Sequence, residues 1–125
     1  MKAAKKVRPQ RFGTIFWLVR DGAVWLVRRP DKGLLGGMRA LPTGPWRDAP
    51  PGMEGAPAQA DWQLLDQDVV HVFTHFRLDC ALAAAEVAAH SVGAGEWWPI
   101  ADIESAGLPT LFAKAARIFG RVACD

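Results

Sequence analysis

The chain has 125 residues, half of them hydrophobic, and a formal net charge of +2. That length suits one domain around one core, and the apolar content excludes a disordered chain. The longest strongly apolar run, residues 15–19, is too short to cross a bilayer as a helix, so no membrane partner is expected and a cytoplasmic, nucleoid-associated location of the bacterial type is the default.

The charge is uneven. Lys2, Lys5, Lys6, Arg8 and Arg11 put five cations into the first eleven residues, and the remaining 114 carry ten basic and thirteen acidic side chains. Residues 1–10 read as a basic leader or linker and 11–125 as the folded body. Such a leader is either a solvated tail or an arm lying along a polyanion. "MKAAKK" has the charge of a signal-peptide start without the apolar stretch that follows one.

"FGTIFWLVRDGAVWLVRRP" is the clearest structural signal. Two β-forming runs flank Asp21-Gly22, a turn pair that tolerates positive φ. Strands are expected at 12–20 and 23–29, apolar enough to be covered on both faces. Pro30 ends the second, and "DKGLLGGMRALPTGPW" follows as a structured glycine-rich loop. Residues 47–57, rich in Pro and Gly, read as a loose surface loop. Residues 58–67 suit either a short helix or an edge strand.

"DVVHVFTHFRLDCALAAAEV" mixes signals. Alanine favours helix, but the alternation of Phe76, Leu78, Cys80 and Leu82 with smaller or polar residues favours strand. Two strands are expected, at 69–73 and 76–88, with Thr74 at their junction. A short strand and one helical turn follow in "GEWWPIADIESAG". "LPTLFAKAARIFGRV" predicts a helix with Pro109 in its first turn. Leu111, Ala115, Ile118 and Val122 form its apolar stripe, widened by Phe112 and Phe119. Lys114, Arg117 and Arg121 line the opposite side, as a solvated face or a phosphate contact.

Several chemistries lack their residues. Cys80 and Cys124 are too far apart in sequence for a metal or redox motif. His71 and His75 have zinc spacing only on a helix, and the context is strand-like. No nucleophile elbow or phosphate-binding glycine loop is present. Glu54, Glu86, Glu96 and Glu104 are too dispersed to hold magnesium from one helix.

The order of "RRPDKGLLGGMRALP", "HVFTHFRLD", "EWWPI" and "GLPTLFAKAARIF" resembles the C-terminal domain of A/G-specific adenine DNA glycosylases, the MutY family, over about residues 8 to 122. The resemblance implies a single Nudix-like α/β (α+β) domain, a mixed β-sheet flanked by helices. It implies a role in base excision repair: the family removes adenine opposite 8-oxoguanine, and this domain helps recognise the oxidised base. The implied partners are duplex DNA containing 8-oxoguanine and the glycosylase catalytic domain of the same polypeptide. The iron–sulfur cluster belongs to that other domain, so no cofactor and no catalytic residue are expected in this chain.

The family's Phe-Ser-His loop matches Phe73, Thr74 and His75, with threonine keeping the hydroxyl and adding a methyl. Arg29, Lys32, Gly33, Gly36 and Gly37 are plausible phosphate contacts, or simply hairpin support. The sequence departs from the family after Gly37, where Arg39-Ala40-Leu41-Pro42 replaces an aromatic and an acid before the proline. It also departs from Nudix hydrolases, which place an Arg-Glu-x-x-Glu-Glu core after this loop. Two other readings stay open: a degenerate Nudix nucleotide-binding or hydrolase domain, and a protein-interaction module.

Overall fold

The Asp21-Gly22 turn forms as its sequence predicts. Asp21 sits at φ 49° and Gly22 at φ 77°, the left-handed pair that a two-residue hairpin loop requires. The turn joins β1 (Gln10–Arg20) to β2 (Ala23–Arg28). The computed structural model describes residues 9–29, 37–88 and 95–123. The basic residues of the leader before Pro9 therefore lie outside the described residues.

β1 and β2 stay paired only beside the turn, at Val19↔Val24 and Arg20↔Ala23. They then diverge, and the chain that follows β2 fills the gap. β3 (Arg39–Ala40) pairs with β2 at Val27 and Arg28. Residues 42–47 run antiparallel to the first half of β1, bridging Thr43 to Ile15 and Arg47 to Phe12. The amides of Phe12 and Phe16 donate to the carbonyls of Arg47 and Pro42 at 2.7 and 2.9 Å. The glycine-rich loop is thus a sheet component at its far end.

β6 (Arg77–Glu86) lies parallel to β1 for ten registered pairs, from Gln10↔Arg77 to Val19↔Glu86. Its other edge is shared by β5 (Val69–Val72) and by β4 (Gln63–Leu64), the edge-strand alternative for 58–67. The alanine-rich stretch is therefore strand. Neighbours on both edges satisfy its backbone, and small side chains suit a strand packed on both faces; Leu82 and Ala83, on opposite faces, are both fully buried. β7 (Gly95–Pro99) pairs with β2 on the edge opposite β1 and β3. A 3-10 segment (Ile100–Ala106) and α1 (Thr110–Ala123) complete a mixed sheet with two helices.

α1 covers one face. Trp17 stacks on Phe119 with centroids 5.0 Å apart and planes 12° apart. Ile15, Val24, Leu26, Leu78 and Leu82 join it against Leu111, Phe112 and Ala115 in one core. The buried side of α1 carries Leu111 and Ala115 of the predicted stripe together with Phe112 and Phe119, and Ala116 joins them, while Ile118 is only partly buried. Cys80 is fully buried here; burial pushes its thiol pKa up to about 12, with Asp79 and Asp68 adding to the shift. It serves as a small hydrophobe.

Successive strand residues face opposite ways, so Phe16 points to the other face. It meets Trp62 edge-on at 5.0 Å. No helix lies on this side among the described residues; segment 48–62 covers it. That segment, expected to be loose over 47–57, is fastened at several points. Thr14 Oγ1 donates to the Gly52 carbonyl at 2.7 Å. Arg47 holds Glu54 through two nitrogens, at 2.6 and 3.2 Å. Gly44 packs directly on the Glu54 carbonyl, where a Cβ would overlap it.

Thr14→Val keeps the shape and loses the bond to Gly52, so urea unfolding is expected to show a loss of about 1 kcal/mol. Gly44→Ala forces backbone apart and is expected to cost roughly 1–3 kcal/mol. Both variants should be cut faster by protease within 48–60, and unchanged cleavage would show that these contacts do not hold the segment.

Candidate functional site

The β5–β6 hairpin closes at Val72↔Arg77, leaving residues 73–76 as its tip. Phe73 N–H donates to the Phe76 carbonyl at 2.8 Å, which puts Thr74 and His75 at the apex. Both are exposed, whereas Phe73 and Phe76 are half-buried. The two phenyl rings lie 4.8 Å apart and nearly parallel, at 29°. Thr74 and His75 thus stand exposed at the apex, with an aromatic base beneath them.

That base is completed by Trp46. Its ring stacks on Phe73 at 5.9 Å and 28°, and tilts against Phe76 at the same distance. Trp46 reaches this place because residues 42–47 run along β1 and because β1 carries Gly13. A Cβ on Gly13 would stand 2.9 Å from the indole Cδ1, so only glycine lets the indole lie on the strand. The Arg29 guanidinium sits over the Trp46 ring, 5.0 Å from its centroid, a cation–π distance. Burial lowers its pKa. Arg29 and Phe73, separated by 44 positions in sequence, thereby share one indole.

The stem around Arg29 is also defined. Arg29 N–H donates to Met38 at 3.0 Å, and Gly37 N–H to Arg29 at 3.1 Å. Gly37 has φ 76°, and its carbonyl accepts from Arg28 Nη1 at 2.9 Å. The Gly37 amide is therefore committed to the stem. Lys32, Gly33 and Gly36 lie outside the described residues. Arg39, where the sequence departs from the family pattern, binds Glu96 at 3.0 Å and lies 4.5 Å over Trp98. It joins β3 to β7 and does not reach towards the tip.

Chain entry lies at the same end. Arg77 N–H donates to the Pro9 carbonyl at 2.9 Å, so Pro9 lies beside the base of the tip. Arg11 is paired with Asp48 at 2.7 Å and Arg77 with Asp79 at 2.9 Å. His71 faces α1: its Nδ1 is 3.5 Å from Lys114 Nζ, and its ring meets Phe73 edge-on at 4.7 Å. It supports the tip, while His75 projects from it. Among the described residues no group of three His, Cys, Asp or Glu side chains is placed to hold a metal ion. Of the predicted basic stripe on α1, Lys114 is half-buried against β5 and Arg117 and Arg121 are exposed.

Sequence reasoning missed Trp46. The available signal was a tryptophan closing a Gly/Pro-rich loop and a glycine inside a strand otherwise rich in Ile, Phe and Trp. Such a glycine marks a close approach by another group.

The NUDIX domain family model matches residues 14–117. Among solved structures the chain is similar to the C-terminal domain of mouse MUTYH, crystallised in complex with human PCNA, at TM-score 0.72 and 18% identity over 92% of this chain and 90% of that one. It is also similar to the MutT protein of Methanosarcina mazei Go1, at TM-score 0.74 and 16% identity over 94% and 98% of the two chains. The NUDIX domain of Shewanella oneidensis NrtR, crystallised with ADP ribose, matches at TM-score 0.61 and 17% identity over 95% and 91%. No match is found among curated protein sequences.

Burial, and then the positive charge of Lys114, hold His71 below its ordinary pKa of 6.5. A depressed pKa means that the unfolded chain binds the proton more readily, so this contribution to stability is present above pH 6.5 and lost as pH falls through the folded value. In an NMR titration the His71 ring is expected to titrate below 6.5, and Lys114→Gln to move it upwards. An unmoved midpoint would remove Lys114 from the support of the tip.

Proposed function

The chain belongs to the NUDIX domain family, and from that premise we propose that it is the lesion-recognition domain of an A/G-specific adenine DNA glycosylase, reading 8-oxoguanine opposite adenine in duplex DNA. The observation that supports this reading is the meeting of Phe73 and Arg29 on Trp46 at one end of the sheet, next to the exposed Thr74 and His75. An exposed hydroxyl and imidazole on a braced aromatic base suit contact with a base and its backbone. Oxidation turns guanine N7 from an acceptor into an N–H donor and adds a carbonyl at C8. Thr74 can accept from that N–H, and His75 can donate to a base or phosphate oxygen. Phe73 supplies an apolar edge against which a base can rest.

The second reading, a nucleotide-binding or hydrolytic domain, draws support from the likeness to MutT, which is as good in fold at TM-score 0.74, and from the likeness to the NrtR domain at 0.61. Residues argue against hydrolysis. The acid-rich helix of the hydrolases has no counterpart in the sequence, and the single glutamate of segment 48–62 is taken up by Arg47. The partner glycosylase domain and its iron–sulfur cluster belong to the proposal, not to this chain.

Two outcomes test it. The chain alone is expected to hydrolyse no nucleoside diphosphate derivative with magnesium, and to bind duplex DNA weakly, with log affinity falling by about 0.9 per contacted phosphate per log unit of salt. Turnover above a protein-free blank would replace this reading with the hydrolase. Joined to an adenine glycosylase catalytic domain, Thr74→Val is expected to reduce the preference for adenine opposite 8-oxoguanine over adenine opposite guanine by about two- to tenfold, the worth of one hydrogen bond. If Thr74→Val, Phe73→Ala and His75→Ala all keep full preference, the tip is only a turn.

A further inference from the structure

A groove of about 820 Å³ lies at the far end of the same strands, lined by Trp17, Leu64, Asp61, Asp66 and Glu86 among others. It sits where β1 and β6 end, with the tip where they begin, so the length of β6 separates the two by roughly 30 Å. Asp61, Asp66 and Glu86 are exposed and make no ion pair among the described residues. Three unmatched carboxylates around one groove attract cations and repel phosphates. They do not converge into a metal site, so a cation spread along the groove fits them better than a point ion.

Two further features narrow the ligand. Trp17 is only 3% exposed and forms part of the groove wall, where Leu64 adds a second apolar side chain. A polyamine has no apolar side chains to lay against these two residues. β4 stands at the end of the sheet order, with Leu64 60% exposed on that edge, and such an edge accepts an extended chain. A polypeptide alone supplies carbonyl oxygens, spaced cations and apolar side chains together.

We infer that this groove docks an extended segment of a partner protein rich in lysine or arginine, its cations meeting Asp61, Asp66 and Glu86 and its apolar side chains lying along Trp17 and Leu64. The inference stands on the groove alone and does not depend on the DNA reading.

The test uses the full chain, labelled with nitrogen-15, and a short peptide alternating lysine and valine. Saturable binding is expected, with movement of the Trp17 indole N–H resonance. Exchanging all three acids (Asp61→Asn, Asp66→Asn, Glu86→Gln) is expected to weaken it about tenfold, since three exposed ion pairs are lost. A peptide alternating lysine and serine is expected to bind more weakly. Each acid is also changed singly, so that misfolding of the triple variant leaves the measurement intact. The inference is overturned by equal affinity of the acid variants, by an unmoved Trp17 resonance, by equal binding of the serine peptide, or by a DNA duplex shifting that resonance instead.

Discussion

The parting of β1 from β2 after two registered pairs is the constraint on which the molecule depends. A hairpin that ran its full length would have no room for residues 39–47. Because the strands part, that segment enters between them, satisfies the open edge of each, and carries Trp46 to the start of β1. Backbone groups left bare by the divergence would each cost free energy comparable to a lost hydrogen bond. The inserted segment supplies their partners, and it is what makes the wide separation of β1 and β2 stable.

Trp46 then turns a fold feature into a site. Its indole lies over Gly13, against Phe73 and Phe76, and under the Arg29 guanidinium. A hairpin tip of two exposed residues would be mobile on its own. Here its two flanking rings are stacked, and a third ring braces them from a different strand system. Rigid support of this kind lets a hydroxyl discriminate between a donor and an acceptor, because a rotor that is free to turn serves both. The same logic gives His71 its place: Lys114 and the edge of Phe73 fix it beneath the tip, where it links the hairpin to α1.

The acids of the chain serve in two different places. Glu54 is held by Arg47 and serves to fasten segment 48–62 over the face opposite α1. Asp61, Asp66 and Glu86 gather at the far end of the strands.

Much of this was legible in the sequence. Asp21-Gly22 between apolar β-forming runs determined the hairpin, because few residue pairs tolerate two positive φ values. The alternation from Phe76 to Leu82 outweighed the helix preference of alanine, and the apolar period of residues 109–122 determined α1. The "FTH" and "FRLD" stretches located a tip, since local turn chemistry is a short-range property. Other features required tertiary structure. Residues 47–57 read as loose because Pro and Gly mark loops without saying what the loops touch; Thr14, Arg47 and Gly44 fasten them through contacts 7 to 38 positions apart or through backbone packing. The stacking of Phe119 on Trp17 joins α1 to β1, a pairing that no period within the helix encodes. Trp46 could not be assigned to the site from sequence, because its role rests on Gly13, Arg29 and Phe73 meeting in space. Period and turn chemistry are written locally, whereas the meeting of distant side chains is decided only when the strands part and the chain between them closes the gap.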